Sequence, residues 1–383
     1  MVHIGSLRGV ALEGLVLSFS FLSSCNGQPT GTAPVVITND TVQIPASWPL
    51  PLDHEGQLCH WVRNMHQDQS GTLWFGTNHY GLIRYANDTL EYLADSAGIT
   101  SGRINSIVEG AGGILWVATD GEGLFRYDPA KRGSARHGFS QLTTKDGLPD
   151  NAIWSMRMGL DGVLWFGTMN GLHTYDGRTF TTIDLPASTA VDSLVQLSPT
   201  RITCILEDRH GMLWFGRDGD GLFVFDPKET GSPRTFKHFT VQDGLPDNSV
   251  TGIMEDSKGR MWIGTNFSGV SLFDPSALAE KGTEAFTNFT KDGVIEGIEV
   301  GAFYEDRSGH IWFAAEHHGV YRYDGTRFTN YGPKEGMTSG GIIAMVEDRE
   351  GRFWYGGLGG LFRFDRRTSR FTPVGKTGPW GVL

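Results

Sequence analysis

Cysteine, positive charge and helical periodicity are all scarce in this chain. Three cysteines in 383 residues cannot build the disulfide framework of a small secreted scaffold; Cys59 and Cys204 read as buried small hydrophobes. Lys and Arg number 32 against 43 Asp and Glu, a formal net charge of −11. Nucleic acid and anionic membrane surfaces need a positive field, so neither is an expected partner. The apolar run GLVLSFSFL at residues 14–22 is shorter than the roughly 20 residues that span a bilayer. Nucleophile-elbow, paired-cysteine metal and phosphate-cradling signatures are also missing. No cofactor or metal is therefore expected, and no catalytic residue is assigned.

What the chain has in excess is glycine, at 53 residues about twice the usual share, with aromatics at 11%. Seven tryptophans, Trp74, Trp116, Trp165, Trp214, Trp262, Trp312 and Trp354, recur at intervals of 42 to 50 residues. Three residues before each stands glycine, and twelve before each stands Val62, Ile104, Ile153, Ile202, Val250, Val300 or Ile342. A fixed period of this length marks a repeat architecture. Each copy reads as four strands. The first carries the β-branched mark and often closes in Glu-Asp, and the second is LWFGT or a variant. The third resembles GLFRYD, and the fourth is more variable. Strands apolar on both faces need cover on both sides, which radial stacking of the sheets supplies. The predicted fold is all-β: a seven-bladed β-propeller of four-stranded antiparallel blades over residues 57–374, with the tryptophans as core.

The marks D-x-x-G-x-L-W, G-L-x-x-[YF]-D and the intact DGLPDN at residues 146–151 and 243–248 resemble the two-component regulator propeller repeat. That resemblance implies the seven-bladed propeller and a role like that of periplasmic sensory domains, which detect glycans or related nutrients.

At the N-terminus, Leu22-Ser23-Ser24-Cys25 directly after the apolar run resembles a bacterial lipobox. It implies a signal peptide over residues 1–25 and lipidation of Cys25. Asn26 in that context implies sorting to the outer membrane. The Pro- and Gly-rich residues 26–56 read as a tether, and residues 375–383 as a C-terminal tail.

In a propeller the turns between second and third strands share one face with the connections that lead into each first strand. The ligand-binding residues expected there are Asn78, His79, Tyr80, Arg103, Asp120, Glu122, Asn170, Arg201, Arg217, Asp218, Asn266, Phe267, Glu316 and His317, with Asn151, Asp220, Asn248, Glu299 and His318 beside them. Such a mixture suits a hydroxyl-rich ligand such as a glycan, and equally a protein partner in the cell envelope. The acids of DGEG (120–123) and DGDG (218–221) are expected to be short solvated turn acids that bind no calcium. Glu316-His317-His318 opposite His79 is the sharpest enzymatic grouping, although adjacent histidines on an extended segment point to opposite sides. Residues 185–200, with five apolar side chains, are expected to fold over the rim near Asn170, Arg201 and Arg217.

Overall fold

A computed structural model of the chain describes residues 56–99, 103–134, 136–189, 198–229 and 234–380; Cys25 and residues 26–55 lie outside them. Seven four-stranded antiparallel sheets follow one another, each made of four consecutive strands in sequence order. They occupy residues 62–92, 104–142, 153–182, 202–239, 250–288, 303–331 and 342–374, the seven-bladed β-propeller read from the repeats. In every blade the five residues of the second strand are all buried. That is the signature of a sheet covered on both faces. The seven repeat tryptophans are at most 8% exposed. Among the described residues, helix is confined to single turns such as Ala94–Ala97 and Leu278–Lys281.

The Glu-Asp pair that closes the first strand has a separate task for each acid. The aspartate folds the hairpin below it and tethers its own tryptophan. Asp208 Oδ1 accepts the backbone N–H groups of His210 and Met212, and its Oδ2 accepts Trp214 Nε1 at 2.8 Å. Asp68, Asp256, Asp306 and Asp348 hold Trp74, Trp262, Trp312 and Trp354 in the same way. Burial pushes the Asp256 carboxyl up, but the hydrogen bonds from Arg260 and Trp262 outweigh it and leave the group below the usual range. Blades two and three have glycine at this position, Gly110 and Gly159. The neighbouring glutamate reaches to the preceding blade. Glu109, Glu207, Glu255, Glu305 and Glu347 accept the backbone N–H of Gln69, Leu160, Arg209, Ser257 and Arg307, and Gln67 accepts that of Arg349. Six of the seven seams are thus buttoned on this rim; at the seam between blades two and three, Met158 takes the place.

Within the seams, each tryptophan packs on an aromatic of the next blade's third strand. Trp74 meets Tyr127 at 5.0 Å between ring centroids, Trp262 meets Tyr323 at 5.4 Å and Trp312 meets Phe364 at 5.2 Å. Buried aromatics of this size each remove roughly 150–250 Å² from water. The seam between blades seven and one is different. There Trp380 stands between Trp354, at 5.8 Å, and Tyr85, at 4.3 Å and stacked. Arg352 donates to the Trp380 carbonyl. Residues 375–380, expected to be a tail, are therefore part of the ring's closure, with Trp380 packed against the blade-one and blade-seven cluster that holds Tyr85 and Trp354.

The first strands surround a central channel of about 260 Å³ lined by Asn64, Cys204, Gly252, Gly301 and Ala344 among others. Cys59 is buried and Cys204 half-buried, both as free thiols. Burial pushes Cys59 up to about 12 and Cys204 up to about 11, so both stay protonated.

Candidate ligand site at the mouth of the channel

One end of the channel is ringed by a repeating pair. In six of the blades the residue just before the β-branched mark accepts, through its carbonyl, the backbone N–H of the residue just after the second strand. The pairs are Trp61 with Asn78, Arg103 with Asp120, Arg201 with Asp218, Ser249 with Asn266, Glu299 with Glu316 and Gly341 with Leu358. The backbone repeats while the side chains vary, so this rim is a frame on which chemistry differs from blade to blade.

Two of the pairs are ion pairs: Arg103 Nη1 lies 3.2 Å from Asp120 Oδ2 and Arg201 Nε lies 3.3 Å from Asp218 Oδ2. A third bridge sits behind them, Arg217 Nη1 to Asp220 Oδ2 at 3.3 Å. Asp218 and Asp220 are each 1% exposed. This corrects the reading of DGDG as solvated turn acids: the Arg201 and Arg217 guanidiniums supply the countercharge that lets the carboxylates be buried. Among the described residues, no group of three His, Cys, Asp or Glu side chains is placed to hold a metal ion.

The fifth pair of the series consists of two acids. The Glu299 and Glu316 carboxyls hydrogen-bond to one another, and both are pushed up, Glu299 by burial and Glu316 by burial together with the neighbouring carboxylate. Two carboxyls in such contact hold a proton between them. Glu316 is thus joined to Glu299, where the sequence suggested His79. His317, in the left-handed region at φ 58°, lies 3.5 Å from Glu316 Oε1. His318 turns to Glu296 at 3.3 Å. The two histidines diverge as expected, but both are half-buried; only His79 is exposed.

Six of the seven first strands carry a β-bulge directly after the branched mark. In blades two, four and five the bulged residue is small and polar: Asn105, Thr203 and Thr251 each bond a carbonyl of the next blade. In blades one and three it is Arg63 and Trp154. The Arg103 and Arg201 guanidiniums lie over the Trp154 ring at 4.8 Å and 5.1 Å. Arg63 is lowered to about 9 by burial and by nearby Arg103, against the pull of Asp120 and Glu299. Sequence reading missed Arg63 and Trp154. The signal available was positional: both stand one residue after a repeat mark, where the other copies carry Asn, Thr, Gly or Ile.

The remaining expected residues divide. Asn78 and Asn266 belong to the paired ring. Glu122 is half-buried, and its carbonyl accepts from Gln141. Asn170 is exposed and donates to Asp150. Asn151 and Asn248, placed with the lining by sequence, instead accept the N–H of Thr144 and Val241. They brace the DGLPDN connection, whose Thr143–Asp146 and Thr240–Asp243 capping boxes fold single 3-10 turns. Tyr80 and Phe267 are exposed at 45% and 40%. The described ends of the 185–200 segment do reach this rim. The Pro186 carbonyl accepts from Arg217, Thr189 donates to Asp220, and Ser198 donates to Asp218; residues 190–197 lie outside the described set.

The two component regulator propeller family model matches residues 56–79, 196–216 and 244–267, and no curated protein matches the chain. Among solved structures, the chain resembles the extracellular domain assigned to a hybrid two component system of B. thetaiotaomicron. The identity is 23% and the TM-score 0.63, over 81% of this chain and 40% of that one. It also resembles virginiamycin B lyase from Staphylococcus aureus, at 13% and 0.59 over 82% and 96%. A third likeness is PorZ, a surface component of the type-IX secretion system of Porphyromonas gingivalis, at 15% and 0.59 over 82% and 48%. The chain spans less than half the length of the B. thetaiotaomicron structures it matches, and at these identities the likeness is one of fold. The chain is a seven-bladed propeller bearing three matches to the two component regulator propeller repeat.

Proposed function

We propose that this propeller is an extracytoplasmic binding module that takes a small hydroxyl-rich ligand, such as a glycan fragment, at the mouth, in a sensory role alongside a two-component partner. The observation that carries the reading is the distribution of exposed apolar surface. Of the seven large hydrophobic side chains exposed among the described residues, only Leu160 lies on a first-to-second-strand turn. Tyr80, Val241, Phe267, Val294 and Ile298 fall on turns and connections of the mouth face, and Tyr92 ends the fourth strand that leads into it. Apolar surface gathered on one face around a polar centre marks a binding face. The domain plan belongs to the same proposal: a leader to residue 25, a lipid on Cys25 placing the protein in the outer membrane, and a tether up to the propeller.

A thermal-shift screen of neutral and acidic oligosaccharides tests the reading. The expected result is a ligand that raises the melting temperature of the intact chain but no longer does so in Tyr80→Ala or Phe267→Ala, whose own melts are unchanged. Aliphatic Val241, Val294 and Ile298 favour a protein partner as the second reading. Failure of every sugar together with specific capture of an envelope protein, lost in Ile298→Asp, would replace the first reading with it. Labelled palmitate incorporated into the membrane fraction and lost in Cys25→Ala checks the anchor.

A further inference from the structure

The mouth is chemically two-sided. On the side of blades six and one it offers carboxyl and amide oxygens, from Glu299, Glu316 and Asn78, with the Arg63 guanidinium among them. On the side of blades two to four it offers Arg103, Trp154 and Arg201. Guanidinium and indole nitrogens are donors without any acceptor capacity. Trp154 Nε1 and Arg201 Nη1 are both buried without a hydrogen-bond partner, although Arg201 is only 1% exposed. A buried orphan donor costs about 1–3 kcal/mol, and two in one cluster call for a group that accepts from both. The bulge after Ile153 is what brings the indole beneath the two guanidiniums.

We propose that the Arg103–Trp154–Arg201 stack is the seat of a carboxylate on the ligand, so that the mouth selects hydroxylated acids of the uronic-sugar kind over neutral sugars. The proposal rests on the small-ligand reading above. A monoanion suits the seat better than a phosphoryl or sulfate group. Asp120 and Asp218 already balance Arg103 and Arg201, leaving room for one acceptor rather than for two further charges. The acids on the opposite side, with a proton held between them, are then suited to the hydroxyls of the same ligand.

The test is an acetate titration of the intact chain, followed at the Trp154 indole N–H resonance, which Trp154→Phe identifies by its loss. A saturable shift at millimolar acetate, unmatched by chloride at equal ionic strength, is expected. Arg201→Lys keeps the charge facing Asp218 but loses the planar fork, and should weaken acetate about tenfold. If that variant does not fold, Arg103→Lys serves in its place. No saturable shift, or one that chloride reproduces, overturns the seat. Inorganic phosphate binding more tightly than acetate overturns the carboxylate assignment. Neutral oligosaccharides that stabilise the chain while the Trp154 signal stays still leave the small-ligand reading intact and remove the seat. Acetate binding without any sugar does the reverse.

Discussion

The two rims of this propeller bury acids in opposite ways. On the rim of the first-to-second-strand turns, Asp68, Asp208, Asp256, Asp306 and Asp348 each accept from backbone N–H groups and an indole N–H of their own hairpin. The partners are local and repeat from blade to blade. At the mouth, Asp120 and Asp218 are balanced by arginines of another segment and Asp220 by Arg217 of its own turn, Glu299 faces another acid, and donors such as Arg201 Nη1 find no partner among the described residues. A buried acid satisfied by its own turn stabilises the blade, whereas one balanced by a charge on another segment stays sensitive to whatever else arrives. The difference separates the rim that holds the ring together from the rim that is open to a ligand.

Breaking a mouth pair should have the largest effect. Asp218→Asn leaves Arg201 buried and without its countercharge, which costs about 3–5 kcal/mol; denaturant melts measure it, and Arg201→Met added to Asp218→Asn should recover most of the loss. On the other rim, Asp208→Asn keeps the shape but removes the charge from three hydrogen bonds, so a loss of about 2 kcal/mol is expected. Glu316→Gln should move stability the other way. The folded pair keeps its proton above the ordinary glutamate range, so the wild type binds more protons folded than unfolded and loses stability as pH rises from about 4.5. The variant should melt a few degrees higher, and the gain should be larger at pH 8 than at pH 5; equal gains at both would contradict a shared proton. The smallest change is a transplant. Gly110→Asp gives blade two the carboxylate that five other blades have. Its Cβ would stand 3.6 Å from Trp116 Nε1 and 3.1 Å from the flexible Met158 methyl, and a gain of up to about 1 kcal/mol is expected.

The fold was legible in the sequence because its determinants are local and recur: a glycine turn, an aspartate six residues before a tryptophan, an alternation that closes in Tyr-Asp or Phe-Asp. The mouth was legible in position but not in chemistry. Arg103, Arg201 and Glu316 were placed on the right face by offset from the marks. That Asp218 meets Arg201 or that Glu316 meets Glu299 depends on which residues share a blade's inner pair, a register set by the bulge. Trp154 was passed over because the seven marked tryptophans are core and it lies between two of them; only its offset of one residue from Ile153 distinguishes it.

Trp380 has a consequence for the order of assembly. Six seams join blades that are neighbours in the chain, so each can close as soon as the next blade has folded. The seventh joins Tyr85 to Trp354 through Trp380, contacts among the most distant in sequence that the fold contains. A nascent chain therefore carries its blades as an open arc until blade seven has folded, and it lacks the Trp380 part of the last seam until residue 380 is available. Long-range closure of this kind is slow to form. The exposed strand edge and aromatic surface of the first blade are then the region most exposed to misassociation during synthesis.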